Sequence, residues 1–566
     1  MHGRSRLLVL LGTGAWLLAL VGVGLPRALE RHFHVDEVQL AYDAALFGVH
    51  HLPDHATITS PIVIAMGSLL GSVESAQLMY GILRIGFFTL FTLALLACAW
   101  AQPYFRSAPG RLGVLVAATT FHPLWSNGFE IRADIITVTG SVTLYGLTQR
   151  AANGSTVPAR SLFVGGLAAA TMLAHSFKAL AYAAVFGLVF IVISAVRDRR
   201  SGRSPARAPL WFLAGVLAGA VVHGAVMFAA GGLPAYVHAL IRFRSTMSNM
   251  THFTPTAEVV RIVLDSPIVF GLAAVHVVLA TVDLVKRKCA PSTLITLGFL
   301  AWSFAVLYVN PTPFAYNMVH LLPFVFFAAL DAISRLRSTV AEGTTGVAAS
   351  FACVWMLVFL RGWTADPFQT RSNAAQLSYV RAAEALTGPR DSVLDGAGLV
   401  LSRPPPDKDW LLHSSRMPPY LRGERTSFTR MMIERPSPVI IDNYRWLWLT
   451  TEDLETRASR YVRLAPRLYV LGQELRTPSG DLHVHLRGRY RVVHGADVRI
   501  DGVSVAHGGV LDLEVGAHPF SRGGEEPTLV HWLGPSELAA SDALGQIMTL
   551  GRAEAFFTNE PLLMPH

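Results

Sequence analysis

The segment His32-Phe33-His34-Val35-Asp36-Glu37-Val38-Gln39-Leu40-Ala41-Tyr42-Asp43 places two adjacent acids, Asp36 and Glu37, just behind the first long apolar run of the chain. Asp36 and Asp43 are seven residues apart and share one helical face. Carboxylates held beside an apolar run are poorly solvated, which suits them to take a proton or to hold a cation. The plainer reading is an acidic loop in water. Val35, Val38, Tyr42, Ala45 and Val49 recur at three- and four-residue steps, which predicts an amphipathic helix lying at a membrane surface.

A second group is Phe129-Glu130-Ile131-Arg132-Ala133-Asp134, three charges between two apolar runs. Glu130 and Asp134 stand four apart, so both can face Arg132. Charges at that depth are costly unless paired or used, and a local Arg–carboxylate pair at the helix ends is the alternative. In Ala174-His175-Ser176-Phe177-Lys178-Ala179-Leu180, Lys178 sits at a run boundary, where a cation suits a phosphate or pyrophosphate headgroup and equally suits simple snorkelling. Arg84 falls inside the second apolar run, a place for a functional cation or for a neighbour-paired one. Tyr236, His238, Arg242 and Arg244 crowd a later loop and could meet an anionic headgroup.

The elements that position these residues are membrane helices. Of 566 residues, 52% are hydrophobic and 15% charged, and mean hydropathy is +0.41. A soluble domain could not hide that much apolar surface. The net charge of +9 does not point to nucleic acid, because the bases sit in short clusters between apolar runs. The three cysteines, Cys98, Cys289 and Cys353, form no disulfide or metal pattern. The first run, from about Leu7 to Leu25, reads as a retained signal-anchor helix. Further runs lie near 76–101, 111–127, 133–149, 160–174, 177–196, 209–230, 266–284, 291–309, 315–333 and 345–361. Together they predict a polytopic α-helical membrane protein of about eleven spans, with the pair 160–174 and 177–196 open to a reading as one kinked segment.

Orientation comes from the loops. With the N-terminus cytoplasmic, Arg106 and Arg111, Arg150 and Arg160, Arg197 to Arg207, Lys286 to Lys288, and Arg335 and Arg337 all fall inside. Merging the uncertain pair would put the later clusters outside, so the charges favour two helices there. Asp36, Glu130, Arg132, Asp134 and Lys178 then share the outer face. Arg far outnumbers Lys and Ala is abundant, which leans towards a bacterium of high genomic GC and hence its plasma membrane.

Beyond residue 362 the character changes. Residues 362–480 read as an extracytoplasmic α/β domain, with β-like runs such as Pro438-Val439-Ile440-Ile441-Asp442. Residues 481–566 read as a small β-rich, sandwich-like module, carried by Tyr490–Val493, Asp497–Gly502 and Val510–Leu513 with Asp-Gly turns. This stretch resembles the PEGA-like modules of cell-surface proteins. No acid pair here matches Asp36-Glu37, so the region is expected to cover a cavity or select an acceptor rather than to supply a base.

An Asp-Glu pair in the first outer loop, an Arg-x-Asp turn before the fourth helix and a lysine in a later outer turn resemble the GT-C glycosyltransferases. Among these, protein O-mannosyltransferases and lipid A aminoarabinose transferases are the most similar. The stretch Gly165-Gly166-Leu167-Ala168 through Lys178 is similar to the family's segment ending in a Thr-Lys-Gly-like turn, with Phe177 and Ala179 here in place of Thr and Gly. Asn310-Pro311 to Leu322-Pro323 resembles its Pro- and Tyr-containing outer turn, with Tyr316 as the tyrosine. The resemblance covers about residues 1–440, which take in a transmembrane GT-C-like domain at 1–361 and much of the α/β domain. It implies a polyprenyl-phosphate sugar donor, inverting transfer to a lipid, glycan or protein acceptor in the cell envelope, and contact with membrane lipid.

By that resemblance Asp36 is the general base, and Glu37 supports it or binds a cation. Arg132 and Lys178 contact the donor phosphate, Asp134 orients Arg132, and Arg84, Glu130 and Tyr316 complete the substrate site. The family holds both metal-using and metal-free members, so a divalent cation stays open. The rival readings are a lipid-linked sugar flippase or other transporter, and a non-catalytic membrane scaffold. A transporter is expected to carry repeats and midplane charges, whereas these charges gather at one face.

Overall fold

The structure, a computed structural model, describes residues 2–55, 60–121, 130–154, 156–176, 178–234, 236–237, 256–309, 315–339, 372–412, 417–493 and 497–549. It divides into two compact units. The first comprises Met1–Leu29, Thr59–Ala65 and Leu83–Gln369, and the second Glu30–Ile58, Met66–Ile82 and Thr370–His566.

The first unit is helical. Among the described residues six helices are long and apolar enough to cross a membrane: Leu10–Glu30, Ala76–Ala101, Ala179–Arg200, Arg207–Ala229, Pro267–Val285 and Pro291–Val309. They leave large apolar side chains exposed, Leu210 at 65%, Val221 at 70% and Phe228 at 75% among them. Such a surface is stable only where the surrounding solvent is itself apolar. Helices Asp134–Asn153, Ala159–His175 and Leu322–Thr339 fall on expected runs but are shorter or more polar. The six are therefore fewer than the eleven spans expected, and the run at 345–361 lies outside the described residues. The uncertain pair resolves into two helices, Ala159–His175 and Ala179–Arg200.

One group of polar side chains in this unit is paired across two helices. His276 Nδ1 donates to Asp331 at 2.6 Å, Arg335 Nε reaches the same carboxylate at 2.9 Å, and Arg335 Nη1 bonds Asp283 at 2.6 Å. These bonds tie Pro267–Val285 to Leu322–Thr339, since a charge inside an apolar bundle persists only with a partner.

The second unit holds the strands: β1 (Val393–Leu394), β2 (Val439–Ile441), β3 (Tyr461–Ala465), β4 (Leu468–Leu475), β5 (Ser479–Val484), β6 (Gly488–Val493), β7 (Val498–Ile500), β8 (Val503–Val505), β9 (Val510–Leu513), β10 (Gly516–Arg522) and β11 (Thr528–Trp532). One seven-stranded sheet has the order β1-β2-β4-β11-β6-β9, with β3 also on β4, and a four-stranded sheet has the order β5-β10-β7-β8. Only β1 and β2 run parallel; the other pairs are antiparallel. The larger sheet crosses the 480/481 division expected from sequence, because β4 pairs with β11. The 361/362 division falls outside the described residues. Asp501 and Gly502, with φ of 51° and 80°, form the two-residue turn joining β7 to β8, as their sequence predicts.

The helix Val35–Gly48 also belongs to this second unit, and it departs from expectation. Residues 37 to 47 are all buried, polar positions included, so the helix is enclosed and does not lie on a membrane surface. Its apolar stripe is only part of its buried face.

Candidate functional site

In the first unit the chemistry gathers at one end of the helices. Asp134 opens the helix Asp134–Asn153, where the free N–H groups of the first turn favour an anion. Arg132 Nε donates to Asp134 Oδ2 at 3.1 Å and stands 4.0 Å from Glu130 Oε2. His320 Nε2 donates to the other oxygen, Oδ1, at 3.1 Å. Lys178, at the start of Ala179–Arg200, donates through Nζ to Asn317 Oδ1 at 2.7 Å, and its charge acts on Asp134. Glu130, Arg132, Asp134, Asn317 and His320 are all buried.

Two acids and two bases thus share one buried end of an apolar bundle. The pairing makes their burial tolerable. The structure brings Glu130, Arg132, Asp134 and Lys178 together. It adds His320 and Asn317, which sequence reasoning missed. Their signal was two polar residues interrupting the otherwise apolar stretch Ala315–Phe327.

Tyr316 lies on the same 3-10 turn, Ala315–His320, but its side chain falls outside what the structure describes. His238, Arg242, Arg244 and Asn310–Pro313 lie outside it too. Tyr236 donates to the Ala174 carbonyl at 3.3 Å. Arg84 Nη1 donates to the Leu29 carbonyl at 3.1 Å, in the last turn of the helix Leu25–Glu30. The last carbonyls of a helix have no partner within it, and a buried guanidinium supplies one.

In the second unit, Asp36 and Glu37 start the helix Val35–Gly48 and take different parts. The His34 side chain caps the helix by accepting from Asp36 N at 3.1 Å, and Glu37 Oε2 accepts from His34 N at 3.4 Å. Glu37 is therefore the reciprocal half of a capping box and is 1% exposed. The Asp36 side chain keeps 22% of its surface open. His34 Nδ1 also lies 3.9 Å from Asp36 Oδ2, but as it already accepts from a backbone N–H it bears no proton for an ion pair. Among the described residues no three His, Cys, Asp or Glu side chains form a metal-holding group.

The acid-bearing helix is held by the chain's C-terminal region. Gln376 brackets the Phe33 backbone, its Oε1 accepting from Phe33 N at 2.8 Å and its Nε2 donating to Phe33 O at 3.3 Å. Tyr42 donates to the Arg403 carbonyl at 2.7 Å, and Tyr80 to the Leu399 carbonyl at 3.0 Å. His50 Nε2 donates to the Leu401 carbonyl at 2.8 Å. The loop after β1 presents these carbonyls. Asp395 shapes it by accepting from the backbone N–H of Ala397, Gly398 and Leu399 at 2.8, 2.8 and 2.6 Å. Burial raises the Asp395 pKa against those bonds, and burial followed by the Asp395 and Asp43 charges raises that of Tyr42. Gly398 has φ of 87°, and a Cβ there would stand 2.7 Å from that of Tyr42. Gly398→Ala is therefore expected to destabilise the second unit by about 1–3 kcal/mol, read as a lower urea or thermal midpoint in detergent. An unchanged midpoint would show that the loop does not clamp the helix.

No family model and no curated protein matches the chain. Among solved structures it is similar to the Archaeoglobus fulgidus oligosaccharyltransferase tethered to an acceptor peptide that contains the NVT sequon. The similarity is at 12% identity and a TM-score of 0.41, over 79% of this chain and 72% of that one. A likeness at that level carries no argument about function.

Proposed function

We propose that this protein is a membrane glycosyltransferase that moves a sugar from a polyprenyl-phosphate donor to a hydroxyl-bearing acceptor. The observation that carries the reading is the buried cluster of Arg132, Lys178, Asp134, Glu130, His320 and Asn317 at one end of an apolar helical unit. A polyprenyl phosphate offers that end both of its parts, a chain for the bilayer and an anion for the cations. The one-sided distribution of basic loop clusters supports a non-cytoplasmic position for this end.

In the reaction the acceptor oxygen forms a bond to the sugar's anomeric carbon while the bond from that carbon to the phosphate oxygen breaks. Asp36 takes the hydroxyl proton, as its partly open carboxylate at a capped helix start allows. The electron pair leaves with the phosphate, whose charge Arg132 and Lys178 stabilise. Asp134 holds Arg132 in place. Glu37 keeps the helix start in register.

The test is turnover with a panel of radiolabelled polyprenyl-phosphate sugars, with Lys178→Ala alongside. A charged hydrogen bond to phosphate contributes about 1.5–3 kcal/mol, so donor affinity is expected to fall by about ten- to a hundredfold. Turnover should slow with it. Wild-type affinity in Lys178→Ala would remove the phosphate assignment, and no transfer from any donor would remove the enzyme reading.

A further inference from the structure

His320 is a buried side chain of the first unit whose hydrogen bonding is half complete. It is 3% exposed. Its Nε2 meets Asp134 Oδ1 at 3.1 Å, and a carboxylate oxygen can only accept, so Nε2 carries the hydrogen. In a neutral imidazole the other nitrogen, Nδ1, is then a lone-pair acceptor. That atom is buried and has no hydrogen-bond partner among the described residues. Burying an acceptor without a donor is costly, and native proteins rarely do it without a use. A neighbouring ring, that of Tyr182, has its centroid 5.2 Å away and supplies no bond to Nδ1.

The turn that carries His320 explains where this acceptor belongs. In the 3-10 helix Ala315–His320, side chains three apart eclipse, so Asn317 and His320 share a face. Asn317 holds Lys178 and His320 holds Asp134, which in turn holds Arg132. One short turn therefore carries the unused acceptor together with the partners of Lys178 and Asp134. A ligand that satisfies both the cations and this acceptor needs an anion and a hydroxyl. A sugar linked to phosphate has that pattern.

We propose that His320 is a substrate-contacting residue whose Nδ1 accepts a hydrogen bond from a hydroxyl of the donor sugar, an inference that rests on the function proposed above. Arg132 and Lys178 hold the phosphate, and His320 reads the sugar attached to it. The arrangement Asp134–His320 fixes the tautomer that makes this reading possible, because loss of the carboxylate would let the proton sit on either nitrogen.

The test compares binding of polyprenyl phosphate with binding of a polyprenyl-phosphate hexose that the wild type transfers. His320→Gln retains an N–H able to reach Asp134 and lacks an acceptor at Nδ1, whereas His320→Asn sets an amide group near the Nδ1 position. In His320→Gln the affinity gained from the sugar is expected to fall by about tenfold, with binding of bare polyprenyl phosphate unchanged. His320→Asn should recover part of that gain. Independently of any variant, the wild type should bind one monodeoxy analogue of the hexose donor about tenfold more weakly than the parent.

An unchanged sugar contribution in His320→Gln overturns the inference while leaving the proposed function standing. Equal binding of every deoxy analogue does the same. An equal loss with bare polyprenyl phosphate shows that His320 acts only through Asp134 on the phosphate, and so refutes it as well. If the wild type binds neither ligand, the proposed function falls and takes this inference with it.

Discussion

Asp36→Asn is expected to lower turnover by about a hundred- to ten-thousand-fold, the usual worth of a general base, with donor affinity nearly unchanged. The substitution keeps the shape of the side chain and removes the proton acceptor. It leaves the capping box of His34 and Glu37 in place, since the bond from Asp36 to His34 uses the backbone N–H. The lost helix-end charge is worth only about 0.3–1 kcal/mol, too little to unfold the unit. Glu37→Gln should be far milder, because a glutamine oxygen can still accept from His34 N and Glu37 is almost wholly buried in that role. The measurement is turnover and donor binding for both variants in detergent, after each is shown to be folded. Near-normal turnover in Asp36→Asn would move the base elsewhere, with Glu130 and Asp134 next to be tried.

Ending the chain at residue 480 is expected to abolish activity and to yield no stably folded second unit. The cut removes β11, which lies between β4 and β6 in the larger sheet, and so bares one edge of β4 along Gly472 to Leu475. It also removes the helix Glu537–Thr549, which packs on Ala374–Leu386, and Trp532, whose Nε1 donates to the Leu386 carbonyl at 2.9 Å. Ala374–Leu386 carries Gln376 and Glu384, which hold Phe33 and the Ala76 N–H. Loss of its cover therefore reaches the acid-bearing helix. Deleting only the β7–β8 hairpin, at the far edge of the smaller sheet, should leave turnover largely intact. Monodispersity, protease resistance and transfer activity of the two truncations provide the comparison. A folded, active chain of residues 1–480 would show that the shared sheet does not matter.

Signals that are local were legible in the sequence. Apolar runs predicted the helices because length and composition alone decide whether a segment suits lipid. Asp501-Gly502 predicted its hairpin because both residues tolerate positive φ. Glu130, Arg132 and Asp134 were expected to meet because they stand two residues apart in turn. Lys178 and the acids at Asp36 and Glu37 were visible as charges beside apolar runs, where burial needs a reason.

What only the tertiary structure decided involves partners far apart along the chain. Asp134 meets His320 across 186 residues and Lys178 meets Asn317 across 139, distances over which no periodicity carries information. Arg84 takes the Leu29 carbonyl, a backbone atom that no side-chain pattern reveals. The helix Val35–Gly48 looked amphipathic because its stripe is real. Its polar positions are buried as well, and Tyr42 with the flanking Phe33 and His50 is held by Arg403, Gln376 and Leu401, residues that reach them only once the chain beyond 370 folds back. The sheet likewise ignores the compositional division at 480, since β4 and β11 are joined by backbone hydrogen bonds. Side-chain composition marks where a strand can form, and the backbone of a distant strand decides what it pairs with.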